Sequence, residues 1–288
     1  MVFLGTIKGD VYRVDPSDLS YSLYYHDKYR IYSICFNSEN NMFLVVPYAI
    51  YEPRTKKHWE KFENHAGGII VKRKRFMGLS WKQTDEYFTL PQFTYLDSQD
   101  RWWMCASHGE FGGDVEIFDT KNKKILSNRF EGLKTGDISP QSVFESPNKN
   151  IYITSGLQHF INSGEIYQIS TDGKSTKIFD SNDFQDTTKQ GGVYGNLFIG
   201  PGAYNSHEST IYFASSEGFF KTKMPENDKI EQIQFLFNPS LSWERESLAI
   251  GVSMAIKKME FLPNHKLLFL TGNDGFGLYD GKKTIIFN

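Results

Sequence analysis

Cysteine is nearly missing from this chain: Cys35 and Cys105 are the only two in 288 residues. Two thiols cannot frame a disulfide-stapled fold, and each sits in an apolar alternating segment where a small buried thiol is common, so both are expected as free core residues. An excess of one charge is missing too. The 32 basic and 34 acidic side chains leave a net charge of −2, which excludes a global field directed at nucleic acid or an anionic membrane. No apolar run approaches the roughly 18 residues that span a bilayer as helix. The opening "MVFLGTIKGD" lacks the basic region, apolar stretch and small-residue cleavage site of a secretory leader. Asn-x-Ser/Thr acceptors with x other than proline are also lacking. A soluble, cytoplasmic protein with no nucleic-acid or membrane partner is the expectation.

What the chain does have is 39% hydrophobic and 16% aromatic residues, enough to bury a large core. These residues recur in phrases that open on glycine: "GDVYRVD" at 9, "GGIIVKR" at 67, "GDVEIFD" at 113, "GEIYQIS" at 164, "GFFKTKM" at 218 and "GFGLYDG" at 275. The intervals are 58, 46, 51, 54 and 57 residues. Each phrase alternates at period two and is followed by a polar turn and another short strand, which predicts a hairpin. Ahead of five phrases lies a second hairpin, as in "YSICFNSENNMFLVV" and "FTYLDSQDRWWMCA"; ahead of the first, only its second half is present, as "MVFLGT".

Four strands per unit at a period near 50 residues predict a β-propeller. No long amphipathic helical run competes with this reading. The expected fold is therefore all-β, one domain over 1–288: a six-sector ring of four-stranded antiparallel blades whose first sector lacks its innermost strand.

The stretch "FLGTIKGDVYRVDP" resembles the two-component-regulator type of propeller repeat, with leucine where that pattern has tryptophan. Propellers of that family sense ligands outside the membrane and are joined to a membrane span and a kinase. For this chain the resemblance implies architecture and not activity.

Turns joining strands one to two and three to four of each unit are mostly tight. The connections from two to three, and from four onward to the next unit, include long ones at 47–66, 131–141, 181–195 and 238–251. Ordering each residue of such segments costs about 1–2 kcal/mol of backbone entropy, so their concentration at one face predicts a binding surface there. Two segments, 76–84 and 200–210, are expected to lengthen the opposite face.

Three histidines fall at related places in consecutive units, His65, His108 and His159, with Glu63 and Glu110 two residues from a histidine. Neutral imidazoles converging there would hold a divalent metal or carry a proton; chance placement in separate blades is the competing reading. Among the tryptophans, Trp102 and Trp103 are neighbours in one strand, point to opposite faces and are expected in the core. Trp59 and Trp243 fall in long connections and are candidate partner or sugar contacts. "KRKR" at 72–75 alternates across a strand between acids and reads as solvated. "GNDGFG" at 272–277 supplies one carboxylate and reads as a strand-connecting turn. No Gly-rich phosphate loop, Gly-x-Ser-x-Gly elbow, His-Glu-x-x-His or Cys-x-x-Cys is present.

The sequence thus predicts a cofactor-free binding module that engages another protein through Trp59, Trp243, His65, His108, His159 and Glu110. The alternatives are a metal-assisted lyase or hydrolase on the three histidines, and a carbohydrate-binding propeller.

Overall fold

A computed structural model describes residues 2–15, 17–47, 49–60, 62–63, 68–76, 79–126, 130–133, 135–158, 162–183, 197–225, 228–239, 241 and 256–287; for 60, 62–63, 68–76, 79–89 and 135 it describes the backbone alone. Within these residues helix is confined to two 3-10 turns, Gly109–Phe111 and Thr135–Asp137. Everything else that is regular is strand, as the density of Ile, Val, Phe and Tyr at period two dictates.

Six consecutive antiparallel sheets form the blades of a six-bladed β-propeller, and the strands of each are hydrogen-bonded in chain order. Blade 1 has three strands, β1 (Val2–Gly5), β2 (Asp10–Val14) and β3 (Tyr21–His26), so the shortened first unit expected from "MVFLGT" is present as such. Blade 2 is β4 (Ser33–Phe36), β5 (Met42–Val46), β6 (Ala49–Glu52) and β7 (Lys57–Glu60). A separate sheet follows, built from β8 (Phe62–Glu63), β9 (Gly68–Phe76) and β10 (Leu79–Thr89) in the order β8-β10-β9. Blade 3 is β11 (Phe93–Leu96), β12 (Arg101–Ser107), β13 (Gly113–Asp119) and β14 (Lys124–Leu126). Blade 4 is β15 (Pro140–Glu145), β16 (Ile151–Gln158), β17 (Asn162–Ile169) and β18 (Ser175–Asp180). Blade 5 is β19 (Gly202–Asn205), β20 (Thr210–Ser215), β21 (Gly218–Lys223) and β22 (Gln234–Phe237). Blade 6 is β23 (Ile256–Phe261), β24 (Leu267–Thr271), β25 (Phe276–Tyr279) and β26 (Thr284–Phe287).

Two compact units divide the chain: 1–106 with 114–127, and 107–113 with 128–288. In the first, Phe43, Val45 and Ile50 of blade 2 pack with Trp102, Met104 and Phe118 of blade 3, while Leu44, Val46 and Tyr51 meet Val11 of blade 1. In the second, Ile166 and Phe179 of blade 4 pack with Phe213 and Phe220 of blade 5, and Phe219 of blade 5 meets Phe269 of blade 6 at 4.7 Å. A sheet covered on both faces must be apolar on both. That is why "MFLVV", "WWMCA" and "TIYFAS" run as unbroken buried segments.

The turns also repeat. Every link from a first to a second strand in blades 2–6 carries one non-glycine residue in the left-handed region: Asn40, Asp100, Lys149, Ser209 and His265. This is the hairpin turn in which a type I bend closes on a left-handed residue. Cys35 and Cys105 are buried and free, as expected. Burial pushes both thiols well up, with Asp100 adding to the effect at Cys35, so neither is a ready nucleophile.

Candidate functional site

The glycine-led frame holds for five of the six units and fails at one. Residues 47–66 are not a long connection. Only 47 and 48 separate β5 from β6, and β7 follows a four-residue turn. The third strand of blade 2 begins at Ala49 and not at a glycine. Residues 68–73 of that phrase belong instead to β9, whose nine-pair ladder with β10 mimics the alternation of a blade hairpin. The basic run 72–75 lies in that strand.

Trp59 therefore lies in a blade strand and not in a long connection. It sits in β7, half-buried, with its ring 5.0 Å from Phe118 and 6.3 Å from Phe43. The segments expected to lengthen the other face are corrected as well: residues 76 and 79–84 belong to the paired strands β9 and β10, and 202–205 are the first strand of blade 5. Trp102 and Trp103 are core, at 1% and 0% exposure. Trp103 donates its indole N–H to Asp97 at 2.8 Å, and the Arg101 guanidinium reaches the same carboxylate at 2.6 Å. In "GNDGFG" the Asp274 amide donates to the Thr271 hydroxyl at 2.8 Å and Gly275 takes φ +71°, a strand-connecting turn as read from the sequence.

Of the remaining candidates, His65, His159 and Trp243 lie outside the described residues, and so does the side chain of Glu63. His108 and Glu110 are described, and they belong to one turn. Among the described residues no three metal-ligating side chains are grouped.

That turn, between β12 and β13, is the best-defined feature at the end of the sheets where long connections were expected. The His108 amide donates to the Gly112 carbonyl at 2.8 Å and the Gly112 amide to the Gly109 carbonyl at 3.1 Å, closing the 3-10 turn Gly109–Phe111. Gly112 is there for two reasons. Its φ is +80°, and a Cβ would come to 1.8 Å from the carbonyl oxygen of Gly136. The turn is thus seated directly on the second 3-10 turn, Thr135–Asp137, within the long connection 127–139 from blade 3 to blade 4. The seat continues inward: the Ser107 and Ser139 hydroxyls are hydrogen-bonded, the Ser139 amide donates to the Ser155 hydroxyl at 3.0 Å, and the Gly156 amide to the Ser139 carbonyl at 3.0 Å. Gln141 caps the set by donating to the Gly156 carbonyl at 3.0 Å. On top of this polar scaffold, Phe111 holds its ring out at 84% exposure, beside the exposed Glu110. The sequence carried a signal for it in "HGEFGG", an aromatic bracketed by glycines.

The opposite end of blade 5 holds a second feature. Between β21 and β22, residues 228–233 reach blade 4, where the Ile230 amide donates to the Ile178 carbonyl at 2.7 Å and Ile230 is buried. An open groove of about 650 Å³ lies beside it, lined by residues that include Glu208, Thr210, Lys221, Thr222 and Lys223. Lys221 is already engaged by Glu208 at 3.0 Å and lies over the Tyr212 ring. The groove offers mixed charges, and Lys229 at its rim is 3.5 Å from Asp183.

No protein-family model and no curated protein sequence matches the chain. Solved structures do match. The extracellular domain of a protein described as a hybrid two-component system from B. thetaiotaomicron is 13% identical, with a TM-score of 0.51 over 100% of this chain and 32% of that one. The chain therefore spans about a third of the length of that structure. Virginiamycin B lyase from Staphylococcus aureus, solved with quinupristin, is 12% identical, with a TM-score of 0.51 over 100% of this chain and 73% of the lyase. The nidogen/laminin complex gives 10% identity and a TM-score of 0.51 over 98% of this chain and 91% of that chain. At such identities the likeness extends to the fold, which carries unrelated functions elsewhere. By that fold, the chain is a β-propeller repeat protein.

Proposed function

We propose that this propeller is a non-catalytic binding module that docks another protein through the His108–Gly112 turn, with Phe111 as its anchor. The observation that carries the reading is a phenyl ring at 84% exposure on a turn whose backbone is fixed by hydrogen bonds and by the approach of Gly112 to Gly136. Leaving a phenyl ring in water forgoes about 1.5–3 kcal/mol of burial. A ring pre-positioned on a fixed turn loses little conformational freedom when it enters a pocket, which is what an interaction hot spot requires. Gly136 and Asp137 beneath it are exposed and supply a polar rim. Propellers of similar fold include one solved in a nidogen/laminin complex, which is in keeping with this use.

Proteins retained on the immobilised chain are to be quantified beside two variants, Phe111→Ser and Phe235→Ser. Phe235 is also exposed but lies on β22. Retention is expected to fall about 10-fold or more for Phe111→Ser, the equivalent of 1.4 kcal/mol, and to hold for Phe235→Ser. Equal retention by all three proteins would remove the reading.

A further inference from the structure

Away from that turn, we propose that His207 and His265 form a two-imidazole site for a divalent transition-metal ion of the zinc class, joining blade 5 to blade 6. Each lies in the turn between the first and second strands of its blade, β19 to β20 and β23 to β24. Both are exposed, and their ring centroids are 4.6 Å apart with planes inclined at 37°.

The spacing suits a shared ion. A nitrogen–zinc bond of about 2.0–2.1 Å sets each ring centroid about 3.2 Å from the metal, so two imidazoles at angles of about 90–110° on one ion have centroids about 4.5–5.2 Å apart. The observed separation falls within that range, so no movement of either backbone is required.

Both turns are tied down. The amides of His207 and Glu208 donate to the Asn205 side-chain oxygen at 3.0 and 3.2 Å, and Asn205 itself is buried. The His265 amide donates to the Leu262 carbonyl, and the Leu262 amide to the Lys266 carbonyl, both at 2.9 Å. Beside them Tyr212 of β20 packs edge-on against Phe261 of β23, with centroids 4.9 Å apart. The packing of blade 5 on blade 6 therefore fixes the distance between the two turns.

The imidazoles are the donors left available. The neighbouring Glu208 carboxylate accepts from the Tyr212 hydroxyl at 2.9 Å and from Lys221 at 3.0 Å. Among the described residues no hydrogen bond engages a ring nitrogen of His207 or His265. Imidazole selects zinc, copper and nickel over magnesium and calcium, and two protein ligands leave the remaining positions of the ion to water. The pair uses none of the three histidines that the sequence suggested for a metal.

Calorimetric titration of the full chain with zinc chloride at pH 7.5 tests the site. The parent is expected to take up an ion with Kd below about 0.1 mM, and His207→Gln and His265→Asn are each expected to weaken that uptake at least about 10-fold. Asparagine is chosen because residue 265 has φ +63°, which asparagine tolerates. Each single variant is expected to lose as much as the double variant, because chelation needs both rings. His26→Gln, which removes an exposed imidazole 2.7 Å from Asp10, is expected to match the parent. In the parent itself, zinc is expected to move the imidazole proton signals of His207 and His265 before those of the other histidines. No uptake, single losses that add up to the double loss, or an equal loss in His26→Gln would overturn the proposal. So would zinc moving the signals of other histidines first.

Discussion

Glu52 shows how a single residue was hidden from sequence reasoning. Its carboxylate is fully buried at the end of β6 and takes two hydrogen bonds from Lys123 Nζ, at 2.7 and 3.0 Å, and another from Thr55. Burial alone raises its pKa, but the bonds from Lys123 and Thr55 outweigh it and hold the group below its ordinary value of 4.5. A lowered folded pKa means that the pair's contribution is present above pH 4.5 and is lost as pH falls through the folded value. Lys123→Met removes the ammonium, so the burial penalty prevails and the sign reverses. This variant is expected to be about 2 kcal/mol less stable at pH 7 in urea unfolding, and the gap to the parent is expected to narrow below pH 4.5. A gap that stays constant with pH would assign the loss to packing. Nothing in "YEPRTKK" or "DTKNKK" announces this pair, because its members are 71 residues apart and meet only when blades 2 and 3 stack. Trp102 and Trp103 were legible because period two places neighbours on opposite faces of a buried strand. Trp59 was not legible, because its assignment depended on where blade 2 ends.

At the scale of elements, the repeat made five glycine-led third strands readable and concealed the sixth. A glycine opening a strand reports only that the preceding turn is tight. β6 manages without one, since two residues, 47 and 48, suffice to turn from β5. Gly164, which opens the fourth phrase, is instead the third residue of β17 and matters for packing. Gly156 and Gly164 are direct cross-strand partners on β16 and β17. A Cβ on Gly156 would come to 2.0 Å of the Ile199 carbonyl oxygen, and one on Gly164 to 2.3 Å of Ile199 Cγ1. The pair makes a notch that admits buried Phe198 and Ile199 on the way into blade 5. Gly156→Ala is expected to cost about 3 kcal/mol, the upper range for an overpacked core, because the obstructing atom is backbone. Gly173→Ala is the comparison. Its φ of +89° is unfavourable to alanine, but nothing lies within 4 Å of the added methyl, so about 1 kcal/mol is expected. Equal losses in chemical denaturation would show that the notch is slack.

For the whole molecule, the pattern of "glycine, acid, alternation" was enough to give an all-β propeller with a shortened first blade, because such a repeat encodes one supersecondary unit many times over. The candidate site was less legible. The sequence placed elaboration between blades 3 and 4 correctly, yet which aromatic stands clear of the core depends on tertiary contacts, here the seating of Gly112 on Gly136. The same reasoning separates the propeller from its largest insertion. β9 and β10 pair with each other over nine residues, and β10 takes its remaining partner from β8 inside the same segment, so the backbone bonds of this sheet close on themselves. The framework resumes at Leu90, which packs on the blade 2 and blade 3 core, and at Gln92, whose amide donates to the Cys105 carbonyl at 2.8 Å. Elsewhere consecutive blades are joined by as few as six residues, 27–32. Loop-closure entropy changes only slowly with length. Replacing residues 62–89 by a Gly/Ser link of about ten residues is therefore expected to leave one cooperative transition pattern intact and to move Tm by no more than about 3 °C. A fall of about 10 °C or more in a calorimetric scan, or a broadened transition, would instead make β8–β10 a structural part of the blades they interrupt.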